Sequence, residues 1–513
     1  MRRSLALLAL VLASCTTTSS GVSAPSPRVG APATARARSA KSAPAALDYH
    51  FALDAGLSML AVRLCPRGAV PARLVPGMRD ARSMLKRAVI EREPAAVELP
   101  LDEQGIVLAG LRPSECVRYE LDLRIERGGM GAPQVHRSGK ALMVNLAALL
   151  WRPADYGRYA EVHASFELPE GVKLSVPWPR ANGSAADPLE RYELDSSAFA
   201  FHAYAAFGVL TMHQLQIAGT TIELAVLDGL SAEQCAAVAR WVTVQANAFA
   251  TLAGRLPRSR IQIVVLPTGD SSDPIRFGSM TRGGGASVGV LIAENFDEAE
   301  LMADWVLVHE LSHLLHPFVN RGQAWVSEGI ATYYQEVLRA RAGLQSPEAA
   351  WKRILNGSQQ GASMGVSLEQ GAADMYTTYR FAPVYWGGAA VMLLADVELR
   401  RHSGGARTLD DVLMELSRCC GEGSRPWSAP EVGERIDAIA GVPVMRDLIA
   451  KVVRAEGFPT LAALYAQLGL DERGRATPAA PLARVRDAIM RSAPPDSSLR
   501  AEGLGGTSAS DQP

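Results

Sequence analysis

The stretch HELSHLLHPF, residues 309–318, carries two histidines four positions apart, with a glutamate directly after the first. The surrounding segment has apolar residues at helical spacing and ends at a proline, so we predict one helix over 297–316. On such a helix His309 and His313 lie one turn apart on the same face, and both imidazoles can reach one ion. Glu310 is rotated by about 100° around the axis, which places its carboxylate beside the ion rather than on it. The arrangement suits a base that takes a proton from water at a metal.

A second predicted helix, WVSEGIATYYQEVLRARAG at residues 325–343, supplies a third candidate ligand. Ser327 is its candidate N-cap, and Glu328 sits in its first turn. Two helices joined by a short loop pack antiparallel, which brings a first-turn glutamate back toward the histidine pair. Two histidines and one glutamate with an open fourth position form a catalytic zinc set, whereas a structural site closes all four positions. The HExxH pattern alone also occurs by chance, and the second helix is what makes the metal interpretation specific.

HELSH followed by WVSEGIATYY resembles the gluzincin metallopeptidases, and among them the glycyl aminopeptidase family (M61), which is related to the M1 family of aminopeptidase N and leukotriene A4 hydrolase. The similarity continues in VYWGGAAVMLLADVELRRHSGGARTLDDVL, residues 384–413, where those families have Tyr-x-x-Gly followed by a long helix. It covers most of the mature chain and is strongest from about residue 301 to 415.

The resemblance implies a Zn²⁺ cofactor and a peptide or protein substrate. It implies the following roles: His309, His313 and Glu328 as zinc ligands, Glu310 as general base, and Tyr385 as the phenol that stabilises the oxyanion of the tetrahedral intermediate. An alternative role for Tyr385 is packing, and Tyr376 and Tyr379 are weaker candidates for the phenol. We interpret His316 as a partner of a ligand or as a helix cap rather than as a ligand.

One segment departs from the aminopeptidases among these relatives. They carry a Gly-x-Met-Glu-Asn or Gly-Gly-x-Glu segment upstream of the first histidine, and its glutamate pairs with the free amino group of the substrate. We assign this place to 283–286, which has no carboxylate, and Glu294 has the wrong spacing. The backbone of 284–290 can still bind an extended peptide as an added strand, so Gly284, Gly285 and Ala286 are predicted to contact substrate. Peptide hydrolysis is therefore expected, but amino-terminal specificity is not.

The pattern of the whole chain predicts an α+β multidomain fold. Alternating segments separated by Gly, Pro and Asn predict an N-terminal all-β domain over 47–205. Short buried strands followed by helices predict the catalytic domain over 206–405, which the resemblance makes thermolysin-like: a small sheet plus helices that carry HExxH and the third Glu. A C-terminal helical region is predicted over 406–492, followed by a disordered tail over 493–513.

The N-terminus has the features of a secretory signal. Arg2 and Arg3 precede an apolar run over 5–12 that is too short to span a bilayer. Residues 12–15, LASC, resemble the lipobox of bacterial lipoproteins, which makes 1–15 a lipoprotein signal peptide and Cys15 the lipidation site. An ordinary signal peptide with a chance cysteine and a short buried helix are the alternatives. Thr16 after the cysteine favours the outer membrane of a two-membrane bacterium, and 16–46 is predicted to be a disordered tether.

Composition limits the classes of binding partner that are expected, and cysteine content suggests one disulfide. The 52 basic residues nearly balance the 53 acidic ones, so no nucleic-acid partner is indicated, and the sequence does not indicate an oligomeric state. Cys65 and Cys116 fall in strand-like segments and could pair in an oxidising compartment. The leading interpretation is a zinc-dependent peptidase related to the M61 and M1 families. Two alternatives stay open: a non-catalytic zinc-binding lipoprotein with a peptidase fold, and an endopeptidase or partner-specific processing enzyme rather than an aminopeptidase.

Overall fold

The computed structural model describes residues 45–124, 135–181, 190–458 and 461–491. The lipidation site Cys15, the predicted signal peptide over 1–15 and the predicted tail over 493–513 lie outside these residues. So does the predicted tether, except for its last two residues, which already belong to the first strand. Within the described residues, no helix is both long and apolar enough to cross a membrane.

The N-terminal domain is built from strands, as predicted, with two helices of a single turn. Its strands are β1 Ala45–Leu53, β2 Met59–Arg67, β3 Arg73–Pro76, β4 Leu85–Glu91, β5 Val97–Glu98, β6 Leu101–Asp102, β7 Gly105–Val107, β8 Cys116–Asp122, β9 Val135–Ser138, β10 Ala141–Asn145, β11 Trp151–Pro153, β12 Tyr159–Glu167, β13 Lys173–Ser175, β14 Glu190–Leu194 and β15 Tyr204–Gly208. The helices are α1 Leu146–Leu149 and α2 Ser197–Ala200.

These strands form a seven-stranded sheet in the order β14-β12-β1-β2-β8-β4-β5 and two four-stranded sheets, β13-β15-β10-β9 and β11-β3-β7-β6. A core of alternating inward side chains, with the buried indoles of Trp151 and Trp178 among them, holds the sheets together. Cys65 on β2 and Cys116 at the start of β8 are joined by a disulfide across two paired strands.

The middle of the chain forms a five-stranded sheet in the order β16-β17-β18-β20-β19. Its strands are β16 Leu210–Ile217, β17 Thr220–Leu227, β18 Arg260–Pro267, β19 Ile275–Thr281 and β20 Ser287–Ile292. β17, β18 and β20 are parallel, while β16 and β19 run antiparallel at the two edges. One face packs against helices, and the other packs against β10 and β15 of the N-terminal domain. The sheet is therefore covered on both faces, and β19 is left as an edge strand.

Helices make up the rest of the described chain. They are α3 Ala232–Ala250, α4 Glu298–Met302, α5 Val306–Ser312, α6 Trp325–Arg341, α7 Pro347–Ala362, α8 Leu368–Thr378, α9 Phe381–His402, α10 Leu409–Cys420, α11 Ala429–Ala440, α12 Val444–Leu448, α13 Ala462–Leu468 and α14 Ala483–Ile489. One continuous apolar core joins the sheet, α3 to α9 and the C-terminal helices. The prediction of a mixed multidomain fold with an N-terminal sheet domain and a C-terminal helical region is confirmed.

The prediction of one helix over 297–316 is wrong. The segment divides into α4, α5 and a 3₁₀ turn at His313–Leu315. The break lies between Ala303 and Trp305, where the Asp304 carboxylate accepts a hydrogen bond from the N–H of Val306 at 2.7 Å. A side chain that satisfies a free N–H in this way starts a new helix rather than continuing the old one.

Candidate metal centre and active site

The two histidines of HELSH and the glutamate of the following helix converge on one point. The Nε2 atom of His309, on α5, lies 3.3 Å from Oε2 of Glu328, on α6. The Nε2 atom of His313 lies 3.8 Å from the same oxygen. In a tetrahedral zinc site with bonds of about 2.0 to 2.1 Å, neighbouring donor atoms are about 3.3 Å apart. Three donor atoms at nearly this spacing fit a single zinc ion.

Hydrogen bonds fix the ring of His309. Its Nδ1 lies 2.8 Å from Oε1 of Gln335, two turns along α6 from Glu328. The amide nitrogen of Gln335 donates to the carboxylate of Glu336, at 3.1 Å, so the amide oxygen must face the histidine. Nδ1 of His309 therefore carries the proton, and Nε2 is left bare to bind a metal.

A similar chain fixes His313. Nδ1 of His316 donates to the carbonyl of Pro317 at 2.7 Å, so in the neutral ring Nε2 of His316 is an acceptor. Burial lowers the pKa of His316 to about 3, which keeps this ring neutral. Nδ1 of His313 lies 3.3 Å from that acceptor and 3.1 Å from the hydroxyl of Ser327. With its proton on Nδ1, His313 presents a bare Nε2 to the metal position, so His316 acts on the site through His313.

Glu310 lies beside the proposed ligands. Its carboxylate is within 4.8 Å of the ligand atoms of both histidines, and it accepts a hydrogen bond from the N–H of Met280 at 2.8 Å. Burial raises the pKa of Glu310 to about 7, with the charge of Glu328 adding to the effect and His309 opposing it. A carboxylate with a pKa near neutrality is suited to taking and returning a proton.

The charge of the site favours a cation. Burial acts to lower the pKa of His309, but hydrogen bonding to Glu328 and the charges of Glu310 and Glu328 outweigh it and raise that pKa. Two carboxylates facing two imidazoles in a buried cleft therefore attract positive charge, which a divalent metal ion supplies. Together with the donor spacing, this makes the residues fit a metal.

Tyr385 on α9 borders the same point. Its ring is stacked on that of His309, with the centroids 6.0 Å apart, and its hydroxyl lies close enough to Glu328 for the two groups to interact. Burial, followed by the charge of Glu328, raises the pKa of Tyr385 well above its usual value, so the phenol is a neutral donor at pH 7. Tyr376 also borders the cleft, under the guanidinium of Arg321, while Tyr379 is exposed in a left-handed turn before α9.

Two glycines set the distance between α6 and α9. A Cβ atom on Gly388 would lie 2.1 Å from the carbonyl oxygen of Trp325, and one on Gly329 would lie 2.5 Å from the backbone of Gly388. The helices thus touch backbone to backbone at this level. Since Glu328 precedes Gly329 and Tyr385 lies one turn before Gly388, this contact brings the glutamate and the phenol together.

The structure does not bring Gly284, Gly285 and Ala286 to the metal position. They border a different cavity, where Gly284 packs on Trp178 and Gly285 on Pro177. The strand beside the histidines is β19, which runs just before these glycines. A Cβ atom on Gly278 would lie 2.8 Å from Cγ of Glu310, so this strand lies directly on α5.

The residues of this edge strand were not predicted to belong to the site. Gly278-Ser279-Met280 fits the Gly-x-Met spacing, and Thr281 is the next residue. Thr281 is buried, and its hydroxyl donates to the carbonyl of Ser287 at 3.2 Å. The Gly-x-Met pattern is present in the sequence, but substrate contact was predicted at the three consecutive glycines that follow it.

Two residues that orient the ligands, Ser327 and Gln335, were not predicted to do so. Ser327 was predicted to cap α6, but the helix begins at Trp325, and the Ser327 hydroxyl instead lies near His313 and His316. Gln335 has a detectable signal, because it lies seven positions after Glu328 and therefore on the same face of the helix.

The ligands, Glu310 and Tyr385 line a cleft of about 400 Å³ between β19, α5, α6 and α9. The cleft is also lined by the acidic residues Asp273 and Asp304 and by His202, Arg282 and Arg321. Strand β19 contributes its residues from Ile275 to Met280 to the lining.

Solved structures of similar fold include zinc metallopeptidases. An aminopeptidase N family protein from Idiomarina loihiensis matches 82% of this chain and 78% of its own, with 16% identity and a TM-score of 0.64. An M1 zinc metallopeptidase variant from Deinococcus radiodurans, bound to a Tyr-Ser-Ala substrate, matches 81% of this chain and 94% of its own, with 14% identity and a TM-score of 0.51. The unliganded M1 enzyme of that organism gives 16% identity and a TM-score of 0.50 over the same shares. No protein-family model and no curated protein matches the chain.

Proposed function

We propose that this protein is a zinc-dependent peptidase that cleaves peptide bonds with water. The observation that carries the proposal is the convergence of His309 Nε2 and His313 Nε2 on one oxygen of Glu328, with the carboxylate of Glu310 alongside. The similar folds of known zinc metallopeptidases support it. The proposed cofactor is Zn²⁺, held by His309, His313 and Glu328.

Bound there, zinc would act as a Lewis acid that polarises the attacking water and the scissile carbonyl. Glu310 takes the proton from the attacking water and passes it to the leaving amine, and its raised pKa suits both directions of transfer. Tyr385 donates its phenolic hydrogen to the oxygen that becomes negative when the carbonyl is attacked. The N–H of Met280 holds Glu310 in place for this transfer.

The substrate backbone is proposed to bind along β19. In this antiparallel edge strand the N–H of Met280 turns away from β20 toward Glu310. Because the hydrogen-bonding direction alternates along a strand, Gly278 also presents its N–H and C=O to the open edge. An extended peptide can pair there as an added strand, independent of its side chains. The neighbour solved with a Tyr-Ser-Ala substrate supports a peptide in this cleft.

The substrate end of the cleft favours an endopeptidase or a processing enzyme over an aminopeptidase. Thr281 stands where the aminopeptidases place the glutamate for the free amino group, and its hydroxyl is engaged within the sheet. Arg282, which also borders the cleft, follows it in the sequence and adds positive rather than negative charge next to this position. A free α-amino group of a substrate therefore forms no ion pair at Thr281. A peptide with a blocked amino terminus should bind equally well.

We also propose a narrower peptidase family, a lipid anchor and a cellular location, each from the sequence. HELSH with WVSEG supports a gluzincin of M61 type with a thermolysin-like catalytic domain. The LASC sequence before Thr16 supports lipidation at Cys15 and an enzyme anchored to the outer membrane, facing the periplasm or the cell surface.

The first test is the zinc content of the purified protein, beside Glu328→Ala and Glu310→Gln variants. We expect about one zinc per chain, much weaker binding in Glu328→Ala, and full zinc with a loss of about 10²- to 10⁴-fold in peptide hydrolysis in Glu310→Gln. Comparing blocked with free amino-terminal peptides separates endopeptidase from aminopeptidase. A wild-type protein that takes up no zinc, or a Glu310→Gln variant that stays fully active, would contradict the proposal. Zinc binding without hydrolysis of any library peptide would favour the non-catalytic lipoprotein.

A further inference from the structure

A second cavity lies behind the metal position. It has a volume of about 420 Å³ and forms where three parts of the chain meet: the N-terminal domain at Pro177 and Ser197, the sheet at Arg260, and the turn after α10 at Glu422. Arg282 borders both this cavity and the active-site cleft. It is the physical link between the two.

Among the residues that the structure describes, Arg282 has no negatively charged partner. Its Nη2 donates to the carbonyls of His313 and His316, the latter at 3.0 Å. Its Nε is buried and has no hydrogen-bond partner, and across the described ranges no carboxylate forms an ion pair with this guanidinium. Carbonyl dipoles compensate only part of a full charge, and an uncompensated charge in a protein interior is costly.

A second guanidinium adds positive charge to the cavity. Arg258 donates to the Ser417 hydroxyl at 2.9 Å. Its acidic partner within the described part of the chain is Glu422 at 3.2 Å, whose side chain is 79% exposed. An ion pair with such an exposed carboxylate is screened by solvent and contributes little. The remaining arginine, Arg260, differs because Glu223 accepts two hydrogen bonds from it, at 3.0 and 2.5 Å.

The other carboxylate at the cavity does not neutralise these charges. Asp195 uses Oδ1 to accept hydrogen bonds from the backbone N–H and the hydroxyl of Ser197. Excess positive charge is therefore concentrated on Arg258 and Arg282, beside space that the protein leaves open.

We propose that this cavity is a binding site for a small oxyanion, a carboxylate or an inorganic phosphate, held between Arg258 and Arg282. The planar guanidinium presents several N–H donors in a fixed fork that matches the oxygens of these anions. An anion at this position would pair the unpartnered Nε of Arg282 and join the N-terminal domain, the sheet and α10.

The site bears on the metal centre through one contact. Arg282 holds the carbonyls of His313 and His316, which close the turn after α5. Arg282 is therefore a positioning residue: when an anion fixes its guanidinium, the turn that carries His313 is fixed with it. The anion itself binds outside the active-site cleft, so its binding can be measured without any peptidase activity.

The site can be tested by isothermal titration calorimetry of the full zinc-loaded chain. The titrants are sodium phosphate and sodium acetate, each at constant ionic strength. We expect saturable binding of about one anion per chain, weakened about tenfold or more in Arg258→Gln, since a charge-assisted hydrogen bond is lost. The matched control is Arg240→Gln, whose guanidinium pairs with Glu298 on the surface of α3 and should leave the affinity unchanged. Binding of phosphate alone identifies a phosphate as the ligand, and binding of acetate identifies a carboxylate.

Two results would overturn the proposal: no saturable binding of either anion, or equal affinity in the wild type and Arg258→Gln. The thermal unfolding midpoint gives a second measurement, because an anion that binds only the folded chain raises it in proportion to its affinity and concentration. Neither measurement needs a peptide substrate. A failed peptidase assay and a failed anion site are therefore distinguishable.

Discussion

Replacing Gly388 with alanine tests how the fold places Tyr385 beside Glu328. The new Cβ atom would lie 2.1 Å from the carbonyl oxygen of Trp325 and 2.8 Å from Cα of Gly329. Both are backbone atoms of α6 and cannot rotate away. Non-bonded carbon atoms prefer separations of about 3.5 to 4.0 Å, so α6 and α9 must move apart by about 1 Å.

The neighbouring Gly387→Ala is a matched control on the same helix. Its Cβ atom would meet Cδ1 of Leu368 at 2.9 Å, the end of a flexible side chain, and otherwise only makes an ordinary contact of 3.8 Å with Gly361. Both substitutions gain about 1 kcal/mol of helix propensity. Only Gly388→Ala adds an overpacking cost of about 1–3 kcal/mol against a rigid backbone. We expect the two variants to differ in stability by about 1–3 kcal/mol.

Urea unfolding of both variants at equal zinc concentration measures this difference directly. Gly388→Ala should unfold at lower urea, while Gly387→Ala should match or exceed the wild type. Peptide hydrolysis should fall by about a hundredfold in Gly388→Ala, because a shift of about 1 Å in a catalytic group is enough for such a loss. Equal unfolding midpoints and equal rates in the two variants would refute the role assigned to this helix contact.

Two further predictions concern metal affinity and pH. Gln335→Ala should weaken zinc binding by about 10- to 100-fold in a chelator competition, because His309 loses the partner that fixes its proton. The control variant Gln359→Ala changes an exposed glutamine and should leave zinc affinity unchanged. Stability should fall as the pH drops from about 6.5 to about 4, because burial, with the charge of Arg321 adding, lowers the pKa of His202 to about 4, and only the unfolded chain then takes up the proton. The difference between pKa values of about 6.5 and about 4 limits the loss to about 3 kcal/mol. Urea unfolding of His202→Asn, measured against pH, should show a flatter profile.

Much of the candidate site follows from local periodicity. The four-residue spacing of His309 and His313 puts both rings on one face of any helix that contains them, whatever surrounds it. Glu328 lies in the first turn of the second helix, so a short loop between the two helices is enough to bring it back to the histidine pair. Even the break after Ala303 leaves these relations intact, because α5 and the 3₁₀ turn still place His309 and His313 at one end of one segment.

Other parts could not be read from local patterns. Substrate contact was predicted at 284–286, after the glycine run, whereas the strand that borders the cleft, β19, lies before that run. Which strand borders α5 depends on the order of the sheet. The close contact of Gly329 with Gly388, and the position of Arg282 between two cavities, each join segments far apart in the chain.

The sequence by itself determined the helix faces, and with them the residue types available to bind a metal and move a proton. It also determined the mixed fold, since strand and helix periodicities are properties of short windows. Only the tertiary structure decided which backbone lies beside the proposed metal, how close Tyr385 comes to Glu328, and that Arg282 contacts carbonyls rather than a carboxylate among the described residues. These depend on the packing of distant segments against one another, and a side chain's partner across such a contact is set by the whole fold rather than by its neighbours in the sequence.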